Sequence, residues 1–344
     1  MYFINKLAVS SAALLLAAVA ALAGTAPAMA QEQQFADLGT CGEIAECRIG
    51  YRTYGSLNEE RDNAVLIPAW YGGKTEQMDF LAAAPFLDPE TYFIILVDPI
   101  GNGVSISPSN SASQPMGEFP ALTIGDMVES EYRLVTEHLG LDRLHAVTGI
   151  SMGGMQTFEW AARYPGFARK FVPIIGSPRL PAYDIVRWDT ANAIRAWERA
   201  CRCPEARAIN AGFGLVTRPI GVANDTVTRE DSFDFIETRA AEDTFDEGTS
   251  WDLQRQGEAM IDLDIARHFG GDMALAAREL GRQVDMMVIV SREDRIVSPE
   301  PALDFARLAG FATLVTDEGC GHGDFACNRD VWTAAAGAFL TAGD

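Results

Sequence analysis

The chain of 344 residues predicts an α/β protein, with a mostly parallel central sheet, helices on both faces and an inserted helical cap. Three observations carry that prediction. Short apolar runs at Ala64–Ala69, Tyr92–Val97, Leu144–Val147 and Phe171–Ile175 alternate with amphipathic stretches. These runs lack the strict in–out alternation of a half-exposed sheet, and continuous apolar runs are what strands covered on both faces require. From Ser177 to about Arg282 the β-type runs vanish and helical periodicity takes over, until Val284–Val290 resumes the sheet pattern.

Composition sets the outer bounds. The formal net charge of −21, with lysine only at positions 6, 74 and 170, argues against nucleic acid and anionic lipid as partners. An acidic substrate would need a local exception to that field. Residues 1–30 read as a leader and not as part of the fold. Lys6 is their only charge, Leu7–Ala23 is apolar apart from Ser10 and Ser11, and Ala28-Met29-Ala30 has the small-x-small pattern of a cleavage site. A run of roughly 17 residues is marginal as a membrane span, which needs about 20. The expectation is therefore an exported chain, periplasmic or secreted, starting near Gln31 and without a membrane anchor. Its core would be residues 31–176 and 283–344, with the cap at 177–282.

Taken in order, Gln31–Cys47 is polar and reads as a loose lead-in, and Arg48–Tyr54 as a strand. Gly55–Asn63 is a charged turn before the buried strand at Ala64–Ala69. The aromatic and glycine loop Trp70–Gly73 follows, then a short helix at Met78–Ala84. After the strand at Tyr92–Val97, Gly101–Glu118 is a long loop rich in Gly, Ser, Asn and Pro, a length more often functional than idle. Thr123–Leu139 has the apolar spacing of a helix. Within the cap, helices are expected at Ile185–Trp197, Phe233–Ala240, Gln254–Phe269 and Met273–Leu280. A helix at Pro301–Ala309, a strand at Thr313–Thr316 and a helix at Asp330–Leu340 complete the chain.

The stretch L-H-A-V-T-G-I-S-M-G-G-M-Q-T-F-E-W-A-A, from Leu144 to Ala162, is strand, sharp turn, helix. It contains G-x-S-x-G (Gly149, Ser151, Gly153), in which a strained turn lifts a serine hydroxyl clear of the sheet edge. The helix that follows aims unpaired N–H groups at the same spot. A serine is a poor nucleophile until a base, normally an imidazole held by a carboxylate, contacts it.

There are four histidines. His138 lies in the polar part of a helix, His145 on the strand before the turn and His268 in the cap. His322 stands in a glycine-rich loop, Gly319–Asp324, directly after the last strand, where parallel sheets present ligand-binding loops. It is the expected base. Asp294, after the strand ending at Val290, is the expected carboxylate, with Glu293 and Asp324 as alternatives. The order Ser151, Asp294, His322 is that of α/β-hydrolases. The N–H groups of Met152 and Tyr71 are the expected oxyanion donors.

Six cysteines allow many pairings. Cys41–Cys47 and Cys320–Cys327 close short loops and are expected to pair in an oxidising compartment. Cys201 and Cys203 could join only in a strained two-apart ring. No second cysteine pair or histidine cluster has zinc-finger spacing, so neither metal nor cofactor is expected.

Several segments carry a family resemblance. They are Y-R-T-Y-G-S-L-N from Tyr51, N-A-V-L from Asn63, F-P-A-L-T-I-G-D-M-V from Phe119, and G-I-S-M-G-G-M-Q-T-F-E-W-A from Gly149, with Tyr164-Pro165 after it. Together they resemble the homoserine O-acetyltransferase family of α/β-hydrolase-fold proteins, and Asp294 with Pro299 and Gly321-His322 fall where that family keeps its Asp and His. The resemblance implies an acyl-enzyme on Ser151, ping-pong acyl transfer to a hydroxyl acceptor and a helical cap used in homodimer contacts. Three departures stand out. Ala69-Trp70-Tyr71-Gly72-Gly73 replaces the family's H-A-L-T-G, Thr190–Ile194 (T-A-N-A-I) replaces its G-R-Q-A-I, and this chain carries an export-type leader.

The leading expectation is thus an exported serine hydrolase acting on a small-molecule ester. Trp70, Tyr71 and the cap aromatics Trp188 and Trp197 are its expected pocket walls. An O-acyltransferase uses the same first step. A non-catalytic binding protein on the same fold would have no need of Ser, Asp and His at these three places.

Overall fold

A computed structural model describes residues 32–242, 245–316 and 319–343. The leader expected at residues 1–30 lies outside the described residues. Among the described residues, eight strands form one sheet: β1 (Gln34–Asp37), β2 (Arg48–Tyr54), β3 (Ala64–Pro68), β4 (Phe93–Asp98), β5 (Leu144–Ile150), β6 (Ala168–Ile174), β7 (Asp285–Ser291) and β8 (Ala312–Thr316). Their spatial order is β1-β2-β4-β3-β5-β6-β7-β8. The pairs β1–β2 and β2–β4 are antiparallel, and every pairing from β4 through β8 is parallel.

The helices are α1 (Ile124–Arg133), α2 (Met152–Arg163), α3 (Ala182–Cys201), α4 (Pro204–Val216), α5 (Ile220–Thr226), α6 (Phe235–Ala241), α7 (Glu247–Asp262), α8 (Met273–Gln283), α9 (Glu300–Ala309), α10 (Asp324–Cys327) and α11 (Arg329–Thr341). Alternate strand residues feed two cores, as the two-residue period of a strand demands. Leu66, Ile95, Val147 and Phe171 pack with Met155 and Phe158 of α2, Leu280 of α8 and Phe305 of α9. Val65, Ile94, Ala146 and Val172 face the other way, against Trp332, Ala336 and Leu340 of α11. Burying each such side chain stabilises the fold by about 1.5–3 kcal/mol, which is why both faces are apolar.

Among the described residues between β6 and β7 the regular elements are the helices α3 to α8 and a 3₁₀ turn at Ile265–Phe269, and the segment is tied to the core at two points. Asp184 of α3 accepts the Ser298 N–H at 2.8 Å and its hydroxyl at 2.6 Å. Asp252 of α7 accepts the Ser109 N–H at 2.9 Å and its hydroxyl at 2.6 Å. The long loop expected at Gly101–Glu118 therefore holds α7 in place.

Several expectations change. The lead-in is not loose: β1 adds to the sheet edge, and Cys41 and Cys47 are disulfide-bonded below it. A four-residue edge strand is too short to show a period. Met78–Ala84 is not an α-helix; 3₁₀ turns occupy Thr75–Gln77 and Asp79–Leu81. Pro85 keeps Ala84 out of the helical region. The helix expected at Thr123–Leu139 is capped by Thr123, whose hydroxyl oxygen accepts the Asp126 N–H, but loosens into a π turn at Leu134–His138. The stretch Gln254–Phe269 breaks after Asp262, because Asp264 turns its carboxylate back to cap the N–H of Ala266. Helices α4 and α5 were not expected, and α4 carries Gly212 and Gly214, which weaken the helical signal.

Candidate active site

Ser151 follows β5 and opens α2 with φ +59° and ψ −118°, outside the regions a side chain ordinarily tolerates. Its N–H donates to the Ile174 carbonyl at 2.8 Å, pinning the turn to β6. The flanking glycines are steric necessities. A Cβ on Gly149 would lie 2.5 Å from the carbonyl of Gly153, and one on Gly153 would lie 2.4 Å from the carbonyl oxygen of Pro68.

The structure brings three of the expected side chains into one line. Nε2 of His322 is 2.8 Å from Oγ of Ser151, and Nδ1 of His322 is 2.6 Å from Oδ2 of Asp294. The other Asp294 oxygen accepts the N–H groups of Ile296 at 2.8 Å and Val297 at 3.0 Å. With its side chain 1% exposed, Asp294 is held from both sides, while His322 keeps 17% of its side chain accessible. Asp324 is buried elsewhere and accepts from Asn328 at 2.6 Å. A disulfide joins Cys320 to Cys327 around the turn that carries His322. Cys201 and Cys203 are joined as well, so the two-apart ring does form.

The remaining histidines have other surroundings. Nε2 of His138 and the Tyr51 hydroxyl are 3.0 Å apart, His145 lies 2.9 Å from the Leu340 carbonyl, and His268 lies 2.8 Å from buried Glu159. None of these contacts involves Ser151.

The loop after β3 forms a turn closed by the Gly73 N–H on the Trp70 carbonyl at 2.8 Å, with Gly72 in the left-handed region at φ +66°. This is the turn position that glycine supplies without strain. Among the described residues, no hydrogen bond engages the N–H of Tyr71 or of Met152. That of Gly72 donates to Oε1 of Gln256, 2.7 Å away on α7. Gln256, fully buried, thus clamps the turn from the cap side. Sequence reading missed it, because nothing local marks a glutamine that acts across 184 residues.

A cavity of about 310 Å³ opens beside Ser151 and His322. Trp70, Tyr71, Trp188 and Phe213 form much of its wall. Trp188 packs edge-on against Tyr71, with ring centroids 4.7 Å apart, and its indole N–H donates to the Ile296 carbonyl at 3.1 Å. Trp197 is not a wall residue; 47% exposed, it lies on the outer side of α3. Arg187 and Arg195 also line the cavity, and neither was expected there. Their spacing from Ala191, one turn of α3 on either side, is the signal that could have found them. Burial lowers the Arg187 guanidinium pKa and raises that of the Tyr71 phenol.

A family described as alpha/beta hydrolase fold matches residues 65–190. The fold also superposes on an acetylester hydrolase from Corynebacterium glutamicum with a TM-score of 0.77 and 27% identity, over 89% of this chain and 95% of that one. This is an α/β-hydrolase-fold protein. Its sequence is 41% identical over 155 residues to a probable esterase of Corynebacterium glutamicum, covering 44% of each chain. It is 39% identical over 151 residues to an ethyl acetate hydrolase of Pseudomonas veronii, covering 43% of each. A homoserine O-acetyltransferase of Carboxydothermus hydrogenoformans is 38% identical over 166 residues, 42% of this chain and 43% of that one. The matched segments thus span less than half the length of these relatives. Within the fold, the chain is related both to acetylesterases and to homoserine O-acetyltransferases, and the resemblance to the second group alone was too narrow.

Proposed function

We propose that the chain is an exported serine hydrolase that cleaves a small acyl ester through an acyl-enzyme on Ser151. The observation that carries this reading is the line Asp294–His322–Ser151, with contacts of 2.6 and 2.8 Å at the edge of a largely aromatic-walled cavity. In the first half-reaction Nε2 of His322 takes the Ser151 proton as Oγ attacks the ester carbon. The carbonyl oxygen becomes anionic and accepts the N–H groups of Met152 and Tyr71; one such donor is worth about 3 kcal/mol of barrier. The bond to the alcohol oxygen then breaks, and His322 protonates the leaving alcohol. In the second half water gives a proton to His322 and attacks the acyl carbon; the bond to Oγ then breaks, His322 returns the proton to Ser151 and the acid is released. Asp294 holds the Nδ1–H of His322 and stabilises the imidazolium of both steps.

The relatives' names, a probable esterase and an ethyl acetate hydrolase, support a short acyl group and water as acceptor. The homoserine O-acetyltransferase relative supports a second reading, in which a hydroxyl compound replaces water in the second half. Export is supported by the composition of residues 1–30 and by three disulfides, which persist in oxidising compartments.

A fluorophosphonate probe should label wild-type protein on Ser151 and leave Ser151→Ala unlabelled. Turnover of p-nitrophenyl acetate should release acetate even when alcohols or amino alcohols are supplied at millimolar concentration. Dominant transfer to an acceptor would replace the hydrolase reading by the acyltransferase one, and absence of labelling would remove both.

A further inference from the structure

Two arginines in the cavity beside Ser151 are not used by the hydrolysis of a neutral ester. Arg187, Ala191 and Arg195 recur every fourth residue on α3 and line the cavity together. Nε and Nη1 of Arg187 are shut off from solvent without a hydrogen-bond acceptor. Among the described residues its Nη2 reaches the Thr217 hydroxyl alone, at 3.4 Å. The guanidinium carbon lies 4.6 Å from the ring centre of Trp188 and 6.0 Å from that of Phe213. Arg195, 9% exposed, donates to Asn192 at 3.3 Å and stands 5.6 Å from the Tyr71 ring centre. The Tyr71 hydroxyl is also buried without a partner, and the charges of both arginines act on it.

Two of the acidic groups around this cluster, Asp184 and Asp294, are engaged elsewhere. Asp184, Asp294 and Tyr183 face Arg187, and Glu198 faces Arg195. Asp184 gives one oxygen to the Ser298 N–H and the other to its hydroxyl. Asp294 gives one to His322 and the other to the Ile296 and Val297 N–H groups. No hydrogen bond of the described residues joins a carboxylate to either arginine. A buried guanidinium with unpaired N–H groups is costly unless an acceptor enters with the ligand. A chain with a net charge of −21 gains nothing in solubility from concealing positive charge.

The geometry points to a carboxylate-recognition subsite, in which Arg187, assisted by Arg195 and the Tyr71 hydroxyl, binds the carboxylate of a small ester whose scissile carbonyl sits at Ser151. This substrate class rests on the serine-hydrolase reading of the same cavity. Charged guanidinium N–H donors bind carboxylate oxygens strongly, which suits Arg187 to the role. A cavity of about 310 Å³ takes roughly ten water-sized groups, enough for a short acyl ester with one charged end.

The test uses matched pairs of esters. On the acyl side p-nitrophenyl hemisuccinate is compared with p-nitrophenyl butyrate, and on the alcohol side O-acetyl-3-hydroxybutyrate with its amide. Wild type should favour the anionic member of at least one pair by tenfold or more in kcat/KM. In Arg187→Gln that ratio should fall by on the order of tenfold to a hundredfold, the usual worth of a charged hydrogen bond. Arg187→Lys should retain part of it. Calorimetric titration of Ser151→Ala with succinate and glutarate gives a second readout, in which binding should weaken at least tenfold when Arg187→Gln is added. No anion preference in either pair, or a preference that Arg187→Gln leaves intact, would overturn the subsite and make Arg187 a packing shelf for Trp188 and Phe213. Absence of Ser151 labelling and of any ester turnover, with Arg187-dependent succinate binding, would instead remove the hydrolase reading and keep the subsite.

Discussion

Asp294→Asn separates the carboxylate's charge from its shape. In the native site one oxygen accepts two backbone N–H groups, from Ile296 and Val297, at 2.8 and 3.0 Å. The other faces Nδ1 of His322 at 2.6 Å. An amide can place only its oxygen against the two N–H donors, because an NH₂ group there would leave both unpaired and buried. The NH₂ must therefore face His322 and donate to Nδ1. That forces the proton onto Nε2, which then donates toward Oγ of Ser151 at 2.8 Å when it should accept. The base is lost with hardly an atom moved. The expected fall in kcat for p-nitrophenyl acetate is about 10⁴-fold, or roughly 5 kcal/mol of barrier. Both backbone bonds survive, so thermal stability should change little. Asp294→Ala removes them too, and should lower stability as well as rate. The measurements are kcat, the rate of fluorophosphonate labelling at Ser151 and the melting temperature. An asparagine variant within tenfold of wild type in both rates would refute this account of Asp294.

Two further outcomes are expected. Gln256→Leu leaves the Gly72 N–H without its acceptor and frees the turn that carries Tyr71, so kcat should fall tenfold to a hundredfold with little change in KM. Gln256→Glu keeps an acceptor and should recover part of the loss; equal rates in the two variants would show that packing and not the hydrogen bond matters. Burial raises the Asp252 carboxyl from 3.8 to about 6, and its folded-state pKa therefore exceeds the unfolded one. Its contribution to stability is then fully present below about pH 4 and is lost as pH rises through about 6, by up to roughly 3 kcal/mol. Asp252→Asn, which keeps partners for Ser109, should gain stability relative to wild type across that window in urea titrations, and a pH-independent difference would contradict this.

Much of the fold was legible because its signals are local. A strand covered on both faces needs an unbroken apolar run, and β3, β4 and β5 supply one each within a few residues. The sharp turn at Ser151 announces itself through Gly149 and Gly153, whose missing side chains make room for neighbouring backbone. Where the signal was weak, the reading failed for a physical reason. Helix α4 contains two glycines, and β1 is too short for a period.

By itself, then, the sequence determined the layer order, the turn and the short set of residues able to act there. Only the tertiary structure shows which of Asp294, Glu293 and Asp324 lies against His322, because that depends on how the loop after β7 is aimed. It alone put Gln256 behind the turn at Gly72, and Arg187 and Arg195 into the cavity. Those contacts join side chains far apart in the chain, and no periodicity within one segment records what another segment presses against it.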